Sequence, residues 1–496
     1  MEIIKRNIAF NLLAITAGAL MPLAFAPFHV YEISIISPTL ILALWVYSTP
    51  RQALLRGFLF GLGFFTIGIY WVYISVHDYG NAAVFLALLI TALLIVILAL
   101  FPALQGYLLT KFFPKNNLRK FLLAFPASWV LFEWLRGWIF TGFPWLFLGY
   151  SQISHPLKGL APIFGVYGVS FAAALSCGVI VSAFTIRKII PITFAFVILI
   201  FVWLSSGFLT QINWTKTTGN PIEVSLIQGN ISQPVKWQAD SLSFILLRYR
   251  NLTKKHWNSQ LIVWPEAGIP AFRWQVQYYL EDLEKKAKQH HTTIVIGILT
   301  ENRQTKQYYN SMLAFGENHG LYLKRHLVPF GEYPPVFPIS GLVMSLLDIP
   351  MSNFSSGTKQ QPYFIAGNIP VAPSICYEVA YPSEVLSFLP YAQLLINISD
   401  DSWFGKSIAS AQQLEMAQMR SLETGRYHLV STNTGLTAII NEKGEILAQA
   451  PPYQEFVLNG TVQPMSGSTP WVRFGHYLWF LIVILAIAVA KIKFIQ

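Results

Sequence analysis

The sequence predicts a polytopic α-helical membrane domain joined to an external α/β domain, and three observations predict it. The chain is 54% hydrophobic and only 11% charged, with mean hydropathy +0.48, against roughly 25% charged residues in soluble domains. Long apolar runs fill the first 212 residues. From about Asn213 to about residue 470, charged residues, turn residues and short β-branched runs replace them. A chain of 496 residues has room for both parts. The net charge of +11 invites a nucleic-acid partner, but Lys and Arg sit in short clusters between apolar runs, the arrangement that orients membrane helices. No nucleic acid is therefore expected. Two cysteines and scattered histidines give no disulfide framework and no metal spacing, so neither metal nor cofactor is expected.

Apolar runs of about 17 to 25 residues read as spanning helices. Seven precede residue 212: Ile8–Phe25, Ile33–Tyr47, Leu54–Val76, Ala82–Leu109, Phe121–Phe140, Ala161–Ala183 and Ile189–Leu209. Pro38 interrupts the second, which is short, and the fourth is long enough to tilt. Lys5 and Arg6 give the first run the look of a signal peptide, but further apolar helices follow it rather than a soluble domain. Counting seven helices puts Lys5–Arg6, Arg51 and Arg56, Lys111 to Lys120, and Arg187–Lys188 on one side, which is then cytoplasmic. The alternate loops near His77–Asp78 and His155–Lys158 are poor in positive charge. An eighth run, Tyr477–Ala490, ends in Lys491 and Lys493. The expected organisation is thus about eight spanning helices: seven in residues 1–212, an external domain over 213–470, and the eighth helix in 471–496. Both termini are cytoplasmic and the domain lies in a periplasm-like compartment.

Within that domain, Ile222–Ile227, Gln260–Val263, Thr293–Ile298 and Gln393–Ile398 read as strands, and Ser241–Lys255, Trp274–Gln289 and Ala409–Glu423 as helices. Tyr309–Phe315 and Gly320–Lys324 form a hairpin around Glu317–Gly320. His428–Thr432 and Leu436–Ile440 are strands, and Asn441–Gly444 turns into Glu445–Gln449. Two sheets covered by helices fit this order.

Three segments place functional groups at strand ends. Val371–Ile375 leads into Cys376, which has no partner cysteine in an oxidising compartment and so reads as a reactive thiol. Pro265 ends another strand and leaves Glu266 at a sheet rim; Lys324 closes a third, with Glu332 in the turn beyond. A thiol of ordinary pKa near 8.5 needs a base, which a carboxylate supplies, and a lysine can stabilise an oxyanion. The plain alternatives are a buried structural cysteine, a solvated loop acid and a basic surface patch. Spacing alone does not bring the three segments together.

The order Trp264-Pro265-Glu266, then Tyr322-x-Lys324-x-x-Leu327-Val328-Pro329-Phe330-Gly331-Glu332, then Ser374-Ile375-Cys376-Tyr377-Glu378 resembles the carbon–nitrogen hydrolase (nitrilase) superfamily with its Glu-Lys-Cys triad. The match covers roughly residues 220–460. With spanning helices on either side, the whole chain resembles one family in particular, the apolipoprotein N-acyltransferases. The resemblance implies an αββα sandwich, with Glu266 as general base, Lys324 as oxyanion stabiliser and Cys376 as nucleophile. It implies supporting or substrate-binding roles for Glu332, Tyr377 and Glu378, and places Trp237, in Gln228–Trp237, near the acyl chain. The implied reaction is a two-step transfer without a cofactor. A phospholipid such as phosphatidylethanolamine acylates Cys376, and the α-amino group of a diacylated apolipoprotein's N-terminal cysteine takes the acyl chain. Ping-pong kinetics follow, at the bacterial inner membrane with the domain on its periplasmic side.

Apolar loops that keep water from a thioester are expected at Pro335–Met351 and Trp403–Phe404. Glu133 with Arg136 reads as a structural ion pair at a helix end, ahead of a lipid-headgroup role; Glu423 and Arg426, closing a helix, as structural; Trp134–Tyr150 as an interfacial aromatic stretch; Cys177 as packing. Two other functions compete. A membrane-tethered amidase shares the triad but has no use for eight helices. A transporter with an external domain predicts charges or broken helices at mid-membrane, and few are present.

Overall fold

A computed structural model of the chain describes residues 2–333 and 353–492. The chain divides into two compact units. The helical unit runs up to Tyr73, from Phe85 to Ile212 and from Arg473 onward. Its helices are α1 (Glu2–Leu20), α2 (Ile33–Val46), α3 (Pro50–Gly68), α4 (Val84–Phe112), α5 (Phe125–Arg136), α6 (Ala161–Thr185), α7 (Ile189–Leu209) and a C-terminal helix, Tyr477–Lys491. Thr49 starts α3 with a capping box to Gln52, and Pro50 occupies the first turn, where its missing N–H is not needed. Glycines let α1 and α3 meet backbone to backbone: a Cβ at Gly18 would stand 1.9 Å from the Phe60 carbonyl oxygen.

Among the described residues four helices are long and apolar enough to cross a membrane: Ile4–Ala24, Val84–Phe112, Pro156–Thr185 and Ile189–Leu209. A fifth follows if the pair Pro50–Gly68 and Trp71–Tyr79, bent by 52°, counts as one span. The expected eight are therefore not reached by length. The 14 residues of α2 rise only about 21 Å against a hydrocarbon core of roughly 30 Å. The expected run Phe121–Phe140 is a π-helical turn, Lys120–Ala124, followed by only 12 residues of α5. It ends at Arg136 with Gly137 as its C-cap, and from Trp138, at φ −142°, the chain leaves the helical conformation. The C-terminal helix has 15 residues, and Lys493 lies outside the described residues.

The second unit comprises Ile74–Val84 and Asn213–Val472. Its strands are β1 (Lys216–Thr217), β2 (Ile222–Gln228), β3 (Leu261–Val263), β4 (Ile269–Phe272), β5 (Thr293–Asn302), β6 (Gln307–Phe315), β7 (Gly320–Leu323), β8 (Phe364–Ala366), β9 (Ile369–Ile375), β10 (Leu394–Ser399), β11 (Tyr427–Thr432), β12 (Ala438–Ile440), β13 (Ile446–Gln449), β14 (Phe456–Val462) and β15 (Met465–Ser466). One sheet has the order β14-β2-β3-β5-β6-β7, with β4 also on β5; the other has β13-β12-β11-β10-β9-β8; β1 and β15 pair separately. Helices α8 (Leu242–Thr253) and α9 (Gln277–Gln289) pack Ile245, Tyr249, Leu280 and Leu283 on Ile262, Ile294, Ile296 and Ile298 of the first sheet. Leu414 and Ala417 of α10 (Ala409–Thr424) pack on Val430, Ala438 and Ile440 of the second. The sheets face each other across Ser431, whose hydroxyl donates to the Val263 carbonyl at 3.2 Å. Each apolar helix face thus covers one sheet, giving the αββα layering that the resemblance implies. Each strand expected from the sequence has its counterpart; β1, β4, β8, β14 and β15 are additional.

Strands β2, β3 and β5 run parallel, as do β9, β10 and β11. Their carboxyl ends deliver Glu266, Cys376 and Asp400 into one cluster, as parallel strands of open sheets commonly do for site residues.

Candidate active site

The Cys376 segment is built by β9, buried along Val371–Ile375 and paired in register with Leu394–Ile398 of β10. At its end Cys376 takes φ +56°, a left-handed conformation that non-glycine residues rarely adopt. The turn is held from both sides. The Asn397 amide donates to the Cys376 carbonyl at 3.1 Å, and the Ile375 N–H donates to the Glu378 carboxylate at 2.8 Å. Burial pushes the Cys376 thiol well above its ordinary pKa; the Glu266 charge adds to this, and Lys324 and Ser399 oppose it. The resting group is therefore the thiol.

Glu266 and Lys324, 58 residues apart in sequence, meet at 3.3 Å. Lys324 also donates to Glu332 at 2.9 Å. Burial alone would lower the Lys324 pKa, but the Glu266 and Glu332 carboxylates raise it well above the usual lysine range, so it stays an ammonium. Asn310 on β6 bridges the two glutamates, donating to Glu266 at 2.7 Å and to Glu332 at 2.9 Å. The Asp400 N–H donates to the other Glu266 oxygen at 2.9 Å. Pairing of β6 with β7 sets Asn310 beside Lys324, through the Lys324 N–H to the Asn310 carbonyl at 2.9 Å. Replacing Asn310 by alanine is expected to lower the acylation rate of Cys376 about 10- to 100-fold through misplacement of Glu266. A rate within twofold of wild type in single-turnover assays would refute that role.

The remaining sequence-derived residues divide by surroundings. Glu332 is buried against Lys324, and its second oxygen accepts from the Val328 N–H at 2.8 Å. Glu378 is fully buried and all its described bonds go to protein: the N–H groups of Ile375, Arg325 and His326 and the Tyr322 hydroxyl. It braces the cysteine turn against the lysine segment. Burial raises its pKa, and the three backbone N–H bonds hold it back. The Tyr377 hydroxyl bonds that of Tyr381, on which His326 stacks. Trp237, partly exposed, donates to Gln233 at 2.7 Å; Gln233 donates to Asp400 at 3.1 Å, so the tryptophan is tied to the loop that holds Glu266. Of the two apolar loops, Pro335–Met351 lies outside the described residues. Trp403 follows β10, and its carbonyl accepts from the Ser75 hydroxyl at 2.8 Å while its ring meets Tyr79 edge-on.

Sequence reasoning missed Asn310, Asp400 and Lys236. Lys236 and Asp400 form a buried ion pair at 2.5 Å beside Glu266. A signal was present for Asp400, because two aspartates directly follow a wholly buried strand. Elsewhere, Glu133 accepts from the Trp129 indole and the Leu148 N–H, and Arg136 donates to the Phe143 and Trp145 carbonyls. Arg426 donates to the carbonyls of Ala392 and Gly467. Cys177 is buried in α6. These side chains serve their own loops and helices. Among the described residues no group of three or more His, Cys, Asp or Glu is placed to hold a metal ion.

Residues 17–179 match the family model described as apolipoprotein N-acyltransferase N-terminal domain, and residues 223–470 match that for carbon-nitrogen hydrolase. Two similar curated proteins carry the name apolipoprotein N-acyltransferase. That of Coxiella burnetii is 48% identical over 94% of this chain and 96% of its own. That of Methylococcus capsulatus is 42% identical over 94% of this chain and 92% of its own. Among solved structures, Saccharomyces cerevisiae Nit3, of the nitrilase superfamily, is 17% identical and superimposes with a TM-score of 0.39 over 50% of this chain and 93% of that one.

Proposed function

The chain belongs to the apolipoprotein N-acyltransferase family, and from that premise we propose that it moves an acyl chain from a membrane phospholipid, through a thioester on Cys376, to the N-terminal amine of a diacylated lipoprotein. The observation that carries the mechanism is the buried cluster in which Lys324 meets both Glu266 and Glu332, with Glu266 and Lys324 acting electrostatically on the Cys376 thiol.

In the first half-reaction Glu266 takes the thiol proton as Sγ attacks the ester carbonyl. The oxyanion is met by the Lys324 ammonium and the main-chain N–H after the nucleophile. Collapse expels the lysophospholipid alkoxide, which takes the proton back from Glu266. In the second half the lipoprotein amine attacks the thioester, Glu266 accepts the amine proton, and the departing thiolate recovers it. The product is an amide. Glu332 and Asn310 hold the lysine and base in place between the two attacks. Both substrates are anchored in lipid, which accounts for tethering the α/β unit to membrane helices at both ends. The inner membrane, the periplasmic side and a phosphatidylethanolamine-like donor belong to the same proposal, supported by the alternation of basic loops.

Purified protein incubated with phospholipid alone is expected to gain one acyl mass on the Cys376 peptide, removable by neutral hydroxylamine. Adding a diacylated lipopeptide is expected to discharge it with formation of N-acyl peptide. Discharge to free fatty acid without transfer would overturn this reading in favour of a hydrolase.

A further inference from the structure

Among the described residues two buried lysines bond Glu266: Lys324 at carboxylate Oε1 and Lys236 at the main-chain carbonyl. Lys236 ends a short helix, Gln233–Lys236, that follows β2. Its Nζ donates to Asp400 Oδ2 at 2.5 Å and reaches the Glu266 carbonyl oxygen at 3.4 Å. Asp400 is held on its other flanks as well. Gln233 donates to Oδ2 at 3.1 Å, and Oδ1 accepts from the Asn433 amide at 3.1 Å, the Ser402 hydroxyl and the Ser402 N–H at 3.3 Å. So held, Asp400 turns its own N–H onto Glu266 Oε2 at 2.9 Å. The Glu266 main chain sits in a tight turn. Ala267, the next residue, takes φ +44°, which non-glycine residues rarely adopt. Strand β5 passes so close that a Cβ at Gly297 would stand 2.6 Å from Glu266 Cα. A buried ion pair is a poor way to gain stability, since apolar side chains of similar volume often serve as well. What the pair supplies here is direction, because it fixes one hydrogen bond to the Glu266 carboxylate and another to its main chain.

We propose that Lys236 is a positioning residue for the reaction at Cys376: paired with Asp400, it fixes the Glu266 main chain and the N–H that aims the Glu266 carboxylate. The proposal rests on Glu266 as the base and names what aims it. In this role Lys236 exchanges no proton and meets no substrate. Its effect reaches the thiol only through Glu266, where a displacement of about 1 Å is enough to cost on the order of 100-fold in rate.

The test is a double-mutant cycle on the full-length protein in micelles. Single-turnover acylation by phospholipid is read per folded molecule and over a range of lipid concentrations. Lys236→Gln and Asp400→Asn each leave a buried charge without its counterion, and each is expected to slow acylation about 10- to 100-fold with the half-saturating lipid concentration within about twofold of wild type. The double variant puts two amides, which can bond each other, where the ions stood, and it keeps the residue-400 N–H. It is expected to acylate at least about fivefold faster than either single variant, and it keeps the cycle readable where a single variant folds poorly. A double variant as slow as Lys236→Gln would show that the ammonium itself is used and overturn the positioning role. So would a loss carried by the half-saturating concentration, which would make Lys236 a substrate contact. A lower unfolding temperature with acylation within twofold of wild type would make the pair plain structure and overturn the proposal equally. The adduct on Cys376 and its loss in Glu266→Gln, measured in the same assay, establish nucleophile and base separately, so the cycle bears on Lys236 alone.

Discussion

Cys376→Ala is expected to eliminate both the acyl adduct and the transferred product, a loss of at least about 10⁴-fold in turnover. In the proposed mechanism Glu266 accepts a proton, Lys324 donates to an oxyanion and Asn310 spaces the carboxylates, but none of them can carry an acyl group between two lipid-bound substrates. Alanine keeps the β-carbon that the left-handed turn already accommodates at φ +56°, and it removes one buried sulfur, so the fold is expected to survive. Cys376→Ser is a sharper probe. A hydroxyl is far harder to deprotonate than a thiol, so the serine variant is expected to acylate at least about 10³-fold more slowly. Any adduct it forms is an oxyester that neutral hydroxylamine leaves in place. Measurement is by lysophospholipid release and N-acyl lipopeptide formation in detergent micelles. Activity above about 1% of wild type in the alanine variant would remove Cys376 from the mechanism.

The parts of the molecule legible in the sequence were those encoded locally. Thr293–Ile298 is a β-branched run that stays buried in any α/β layering, and it forms the N-terminal part of β5. Strand β14 was hidden because Phe456–Val462 carries Asn459 and Gly460 and alternates weakly; it becomes a strand by pairing along β2, more than 220 residues away. Hydropathy read Leu54–Val76 as one span because apolar residues dominate it despite Arg56, yet the chain bends after Gly68 and Ser75–Tyr79 joins the α/β unit. What draws it there is the Ser75 bond to the Trp403 carbonyl, across 328 residues. Glu266, Lys324 and Cys376 stand in short motifs at strand ends, and those motifs were legible in the sequence. Asn310 was not, because a polar residue within Gln307–Phe315 looks like the solvent face of a strand. Only the convergence of Glu266, Lys324 and Glu332 turns it into a buried bridge.

Glu378 carries the second large effect, and its role is read from where its bonds go. Its carboxylate accepts from the Ile375 N–H at 2.8 Å, the Arg325 N–H at 2.7 Å, the His326 N–H at 3.0 Å and the Tyr322 hydroxyl at 2.9 Å. Three of these donors are backbone, and two of them directly follow Lys324. One buried side chain therefore holds the nucleophile turn and the lysine segment in a common frame. Truncation to alanine leaves three buried N–H groups without this acceptor, at about 1–3 kcal/mol each. Glu378→Ala is expected to lose about 3 kcal/mol or more of stability and at least 100-fold in acylation rate. Glutamine is not a neutral replacement here. It keeps one acceptor oxygen but turns its amide N–H₂ toward backbone donors, so Glu378→Gln is expected to fall between wild type and alanine in both measures. Glu332→Ala supplies the contrast, because it strips a carboxylate from Lys324 and leaves the Ile375 bond intact. It is expected to cost activity with a smaller loss of stability. Thermal unfolding in micelles and single-turnover acylation separate the two. If Glu378→Ala unfolds at the wild-type temperature while acylation falls, the carboxylate acts on substrate and not on the frame; if both fall together, the frame is what the reaction depends on.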